Sequence, residues 1–136
     1  MPSALRNLVA RRAGHRCEYC RLREGDLPYC PFHLEHVIAK KHGGSDGPSN
    51  RAWACQHCNL FKGSDLSGRD PASGRVVRLF NPRRQKWSRH FEWRGPFVAG
   101  ITSTGRATIA VLRLNAAYRV ETREFLIAAG AFPPRS

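Results

Sequence analysis

Hydrophobic positions in the first half of the chain change from helical to strand spacing and back. An apolar stripe at helical spacing predicts a helix over residues 3–13. Alternating apolar and polar residues predict a strand over 32–39, and a short returning strand is predicted over 51–55. Glycine and polar residues between these strands indicate a loop over 40–50. A short helix is predicted from residue 59 to about 64.

The second half of the chain is predicted to be extended first and helical afterwards. Short aromatic and β-branched runs separated by turn residues indicate strands between 69 and 100. Thr104 is a candidate cap for one helix, and Asn115 is a candidate cap for a second helix that ends near Gly130. The patterns therefore predict an α+β fold with an N-terminal helix, an extended segment and two C-terminal helices.

The charge of the chain adds a partner to this picture. Lys and Arg number 23 against 10 Asp and Glu, giving a formal net charge of +13. Such an excess favours a polyanion, most simply nucleic acid, and a membrane surface is less favoured because no basic amphipathic helix dominates. No apolar run reaches the length of a membrane span, about 18 residues. The N-terminus lacks the apolar core of a signal peptide, so a cytoplasmic location is expected.

Four of the five cysteines occur as two Cys-x-x-Cys pairs, which favours zinc over disulfides. The four are Cys17, Cys20, Cys55 and Cys58. A shell of four thiolates has no open position, so the predicted Zn²⁺ is structural. Ordinary buried thiols or a redox pair are the alternative. Cys30 is expected to be a bystander or a substitute thiol. His57, inside the second pair, is expected to face outward toward phosphate, or to replace a cysteine.

A second group of polar residues suits the hydrolysis of phosphodiesters. That reaction needs an activated water and charge relief at phosphorus. A neutral histidine is a suitable base near pH 7, and His36 supplies one. The carboxylate of Glu35 and the amide of Asn59 are hard oxygen ligands for a divalent ion such as Mg²⁺. The sequence thus offers two metal sites that differ in ligand type.

The order of these motifs resembles the HNH endonuclease family, which has a ββα-metal fold. The motifs are Glu-His-Val-Ile at 35–38, Gly-Gly-Ser-Asp at 43–46, Ser-Asn-Arg at 49–51 and Cys-x-x-Cys-Asn-x-x-Lys-Gly at 55–63. The likeness is to the zinc-containing, four-cysteine variety. It implies one HNH nuclease domain over 1–136, with a core at 15–66 and a C-terminal β and helical extension at 69–130.

The resemblance also implies roles for single residues. Glu35 and Asn59 would hold a catalytic Mg²⁺ or Mn²⁺, with Asn59 standing where many relatives carry histidine. His36 would be the general base, and Asn50 would hold the loop and orient that base. Possible nucleic-acid contacts come from basic residues in or near this stretch: His33, Lys40, Lys41, His57 and Lys62.

Strand geometry leaves one alternative open. In a regular strand Glu35 and His36 point to opposite faces, so both can serve one site only if the strand twists, bulges or ends there. A competing assignment pairs His33 with Glu35 as ligands on one face. The expected activity is DNA nicking with low sequence specificity. A non-catalytic, zinc-ribbon-like nucleic-acid-binding protein is the alternative, and it has no need of Glu35, His36 or Asn59.

Overall fold

The structure is a computed structural model that describes residues 3–27 and 29–134. The chain forms two compact units, which are described separately. The first unit comprises Met1–Asp65 with Asn81–Arg84, and the second comprises Leu66–Phe80 with Gln85–Ser136. The predicted α+β class is confirmed, and the prediction of a single domain stays a prediction. Among the described residues, no helix has the length and apolar character needed to cross a membrane.

The first unit is built on a hairpin followed by a helix. The sequence folds here as α1 (Ser3–Arg12), β1 (Phe32–His36), β2 (Arg51–Cys55) and α2 (Gln56–Lys62). Strands β1 and β2 are antiparallel, with Phe32 opposite Cys55 and His36 opposite Arg51. The predicted ββα arrangement is therefore present.

Two boundaries in this unit differ from the prediction for physical reasons. Strand β1 ends at His36 instead of residue 39, because the side chain of Asn50 replaces the strand ladder at Ile38. Helix α2 begins at Gln56 instead of residue 59. The Cys55 thiol caps this helix by accepting a hydrogen bond from the Cys58 backbone amide at 3.5 Å, and sequence pattern alone does not identify a cysteine cap.

The core of the first unit lies beside Trp53, which is almost fully buried. The Phe32 and Trp53 ring centroids are 5.9 Å apart, and the Arg6 guanidinium lies 4.6 Å from the centre of the indole. The buried Glu18 carboxylate accepts from the Trp53 backbone amide at 2.8 Å and pairs with Arg83. These contacts fix β2 against α1, β1 and the segment between Cys17 and Cys20.

Among its described residues, the second unit contains two hairpins and two α-helices. Its elements are β3 (Ser67–Arg69), β4 (Val76–Arg78), β5 (Phe91–Arg94), β6 (Phe97–Gly100), α3 (Ser103–Leu112) and α4 (Ala117–Ala128). Strand β3 pairs with β4, and β5 pairs with β6, both antiparallel. Within this unit Arg106 of α3 holds the buried Asp70 carboxylate through two hydrogen bonds of 3.0 Å.

Both predicted caps of the C-terminal helices are wrong. Thr102, not Thr104, caps α3 by accepting from the Gly105 amide at 3.1 Å. Asn115 does not cap α4, because its side chain is already engaged with both the amide and the carbonyl of Val98, at 2.9 and 2.8 Å. Threonine and asparagine are good helix caps, but the side chains of Thr104 and Asn115 bind partners that are distant in the sequence.

Candidate active site and zinc centre

The four paired cysteines meet in one buried cluster. Their Sγ atoms all lie within 4.8 Å of one another, and Cys20 Sγ is 3.8 Å from Cys55 Sγ. A tetrahedral zinc site with Zn–S bonds of about 2.3 Å places its sulfurs about 3.8 Å apart. The Cys20 amide lies 3.5 Å from Cys17 Sγ, as the Cys58 amide does from Cys55 Sγ. Sequence spacing thus located all four members correctly.

The electrostatics of this cluster also suit a cation. Hydrogen bonds from Cys17 and Cys20 raise the pKa of the Cys55 thiol, and burial raises the pKa of Cys58. Four sulfurs in this space can therefore ionise together only when a positive charge compensates them. A structural Zn²⁺ fits, and its four protein ligands leave no position for substrate. Cys30 lies outside the cluster.

Glu35 lies in a buried network rather than in an open cleft. Its side chain is 3% exposed. Oε1 accepts from the Tyr19 hydroxyl at 2.6 Å, and Oε2 is 2.6 Å from the Lys62 ammonium. Lys62 also donates to the backbone carbonyls of Val37 at 2.9 Å and His36 at 3.4 Å. Burial raises the pKa of Glu35, and the charge of Lys62 opposes that rise.

His36 faces a different environment from its neighbour. Its Nε2 lies 2.8 Å from Asp46 Oδ1, and its side chain remains 26% exposed. The hydrogen bond with His36 is the main reason why the pKa of Asp46 is lowered. An ionised Asp46 can only accept a hydrogen bond, so Nε2 of His36 carries the proton. Nδ1 then keeps the basic lone pair. Asp46 was not among the site residues predicted from the sequence, although it is the last residue of the Gly-Gly-Ser-Asp motif.

Asn50 closes the loop that follows His36. Its amide oxygen accepts from the Ile38 backbone amide at 2.9 Å. Its amide nitrogen donates to the carbonyls of Ile38 at 2.9 Å and Ser45 at 2.8 Å. The loop approaches so closely that a Cβ on Gly44 would lie 1.7 Å from the Ile38 carbonyl oxygen. Asn50 thus joins the start of the loop at Ile38 to Ser45, and its predicted role in orienting His36 stays a prediction.

Asn59 and His33 each have side-chain atoms without a hydrogen-bond partner among the described residues. The Asn59 side chain is half-buried on α2, one turn before Lys62, with no hydrogen-bond partner among the described residues. His33 Nε2 is buried and also lacks a partner within the described part of the chain. His33 occupies the same face of β1 as Glu35, as the competing ligand assignment requires.

The predicted phosphate contacts divide into two classes. Lys40 and Lys41 are exposed in the loop, and Lys40 Nζ is 3.3 Å from Asp46 Oδ2. His57 is buried edge-on against Phe61, with ring centroids 4.8 Å apart, contrary to the expected outward orientation. Lys62 is buried against Glu35. As placed here, neither His57 nor Lys62 reaches a phosphate.

The same geometry tests the predicted divalent-ion site. Both oxygens of Glu35 are already engaged, one by a hydroxyl and one by an ammonium group. The carboxylate is 3% exposed and has an ammonium 2.6 Å from Oε2, so the site as arranged does not fit a divalent ion. The ligand roles of Glu35 and Asn59 stay predictions.

Comparison with models of known protein families places part of this chain. Residues 17–65 match the model of the HNH endonuclease family. The matched segment runs from the first zinc-cluster cysteine to the end of the first unit's continuous chain, and so includes β1, the loop, β2 and α2. No curated protein matches the chain, and no solved structure matches it.

Proposed function

We propose, on the premise that residues 17–65 belong to the HNH endonuclease family, that the protein hydrolyses phosphodiester bonds in DNA. The observation that carries this proposal is the exposed His36–Asp46 pair, placed beside the loop that Asn50 closes. We further propose nicking with low sequence specificity, since one such site per chain attacks one strand at a time. The cytoplasmic location predicted from the sequence stays a prediction.

In the proposed reaction His36 acts as the general base. Asp46 holds the proton on Nε2, so Nδ1 is the atom that takes a proton from the attacking water. Asn50 fixes the backbone two residues beyond His36 and so limits movement of the imidazole. Lys40 and Lys41, exposed in the same loop, supply positive charge for the DNA backbone.

The proposed activity includes a requirement for a divalent ion, Mg²⁺ or Mn²⁺. Such ions stabilise the developing charge of phosphoryl transition states and bind oxygen ligands. Glu35 and Asn59 are the ligands predicted from the sequence, and binding of the ion by Glu35 would require Lys62 to be rearranged. The structural Zn²⁺ is proposed to keep β2 and α2 in position and to take no part in the chemistry.

The decisive experiment compares two histidines that each pair with a carboxylate. His36 pairs with Asp46, and the exposed His15 lies 2.9 Å from Glu24. Zinc-loaded wild type, His36→Ala and His15→Ala are incubated with supercoiled plasmid and Mg²⁺ or Mn²⁺, with and without chelator. Loss of a general base should slow nicking by about 10²–10⁴-fold in His36→Ala only. DNA binding, measured by gel shift, should be retained.

Two outcomes contradict this proposal in different ways. Equal nicking by wild type and His36→Ala would remove the assigned base. Binding without nicking by any of the proteins would favour the alternative, a zinc-ribbon-like nucleic-acid-binding protein, for which the net charge of +13 and the cysteine cluster are sufficient.

A further inference from the structure

The buried network around Glu35 differs from what a divalent-ion ligand needs. We propose that the Lys62 ammonium stays permanently paired with the Glu35 carboxylate, and that Glu35 does not bind the divalent ion. Glu35 instead positions the end of β1 that carries His36. This inference concerns the same site as the proposed nuclease and rests on that function only for its relevance to catalysis.

Both carboxylate oxygens of Glu35 already have a close partner inside the protein: Oε1 is hydrogen-bonded, and Oε2 lies in an ion pair. An ammonium has three donors, and Lys62 has three oxygen neighbours: Glu35 Oε2 and the carbonyls of Val37 and His36. The other oxygen of Glu35 accepts from Tyr19. A divalent ion that displaces Lys62 from Glu35 leaves two buried carbonyls without their donor.

The charges of this network also disfavour a further cation. Glu35 and Lys62 neutralise each other inside the protein, with side chains that are each 3% exposed. The other buried acid nearby, Glu18, is paired with Arg83. A divalent ion added beside Lys62 would therefore meet no uncompensated negative charge from these residues. It would instead meet a buried ammonium of the same sign, which is unfavourable in a region of low dielectric.

The network also connects three segments of the first unit. Tyr19 lies between Cys17 and Cys20 of the zinc cluster, Glu35 lies in β1, and Lys62 is the last residue of α2. Through the His36 and Val37 carbonyls, Lys62 holds the backbone at the end of β1. The network thus ties the zinc knuckle and α2 to the strand end that carries His36. Glu35 and Lys62 act as positioning residues for that histidine.

The test measures Mn²⁺ binding to the zinc-loaded full chain by electron paramagnetic resonance. We compare wild type with Glu35→Gln, Lys62→Met and the double variant. Glu35→Gln should leave Mn²⁺ affinity unchanged, since Glu35 is not a ligand. Lys62→Met should create a Mn²⁺ site that disappears in the double variant, because the freed carboxylate then accepts the ion. Far-UV circular dichroism and zinc content check that each variant is folded.

Two results would overturn the proposal. One is a loss of Mn²⁺ affinity of about tenfold or more in Glu35→Gln, the effect expected when a metal site is damaged. The other is a folded Lys62→Met variant without a Mn²⁺ site that depends on Glu35.

A measurement on wild type covers the case in which Lys62→Met does not fold. Acylation of lysines is followed by mass spectrometry, with exposed Lys41 as the internal reference. Lys62 should remain protected at Mn²⁺ concentrations that saturate binding or support nicking. An increase of Lys62 acylation to the rate of Lys41 on adding Mn²⁺ would show displacement and overturn the proposal. If the plasmid is never nicked while Lys62 stays protected, the nuclease proposal fails and this inference stands.

Discussion

Replacing Asn50 by alanine tests whether one side chain keeps the loop beside His36 in place. The substitution removes three hydrogen bonds, to the amide and carbonyl of Ile38 and to the carbonyl of Ser45. Asn50 is 9% exposed, so water does not readily replace the lost partners. At about 1 kcal/mol net for each hydrogen bond, the expected loss of local stability is about 3 kcal/mol.

The Ile38 amide reports this loss directly, because it donates to Asn50 Oδ1. A loss of about 3 kcal/mol corresponds to amide hydrogen exchange about a hundredfold faster at Ile38. The measurement is exchange by NMR on zinc-loaded protein, together with plasmid nicking. We expect nicking by Asn50→Ala to fall because the backbone next to His36 is no longer fixed.

Asn115 provides a matched control in the second unit. It also makes three side-chain hydrogen bonds, with the amide and carbonyl of Val98 and with Arg123 at 3.3 Å. Asn115→Ala should therefore cost a similar amount of stability, about 3 kcal/mol, without affecting Ile38 exchange. A rise of Ile38 exchange in Asn50→Ala of less than severalfold would refute this role of Asn50. A folded Asn115→Ala variant that loses as much nicking activity as Asn50→Ala would also refute it.

Three further predictions address the zinc centre, the loop and the acid stability of the second unit. Cys58→Ser should lose the bound zinc and unfold the first unit, at a cost of up to about 10 kcal/mol, whereas Cys30→Ser should keep the zinc. Zinc content is measured by atomic emission spectroscopy and folding by circular dichroism. Gly44→Ala should cost about 1–3 kcal/mol in urea unfolding, because its Cβ would overlap a backbone carbonyl oxygen; equal stability would contradict this. The Arg106 guanidinium lowers the pKa of Asp70, so the stability from this pair is complete above about pH 4 and is lost as the pH falls toward the lowered pKa. Hydrogen exchange of second-unit amides should lose that part of its acid dependence in Asp70→Asn, and an unchanged dependence would refute the assignment.

Local patterns were sufficient to predict the hairpin, the helix after it and the cysteine cluster. The returning strand is found at the predicted Arg51–Cys55, because its apolar residues are bounded by a loop and a capped helix. The two Cys-x-x-Cys pairs have a spacing that brings sulfurs together with little dependence on the rest of the fold. Strand alternation raised a difficulty for placing Glu35 and His36 in one site, and the two side chains do have different surroundings.

The partners of the site residues could not be predicted in the same way. Asp46 contacts His36 only because the loop folds back on the end of β1. A lysine in the last turn of a helix is normally solvated and favoured by the helix dipole, yet Lys62 is buried against a carboxylate from another element. The first contact depends on the path of the loop, and the second depends on how α2 packs against β1. Hydrophobic periodicity determines neither of them.

The opposite orientations of Glu35 and His36 have a consequence for any mechanism that uses this hairpin. Moving Lys62 to free Glu35 for an ion would also remove the donor from the carbonyls of His36 and Val37. The change that creates an ion ligand would thus loosen the strand end that carries the base. A catalytic site gains most when its base and its charge-stabilising groups are both fixed before the reaction. An intact Lys62–Glu35 pair meets that requirement for His36. Asn59 and His33 are then the better candidates for divalent-ion ligands, because their side chains have atoms without partners among the described residues.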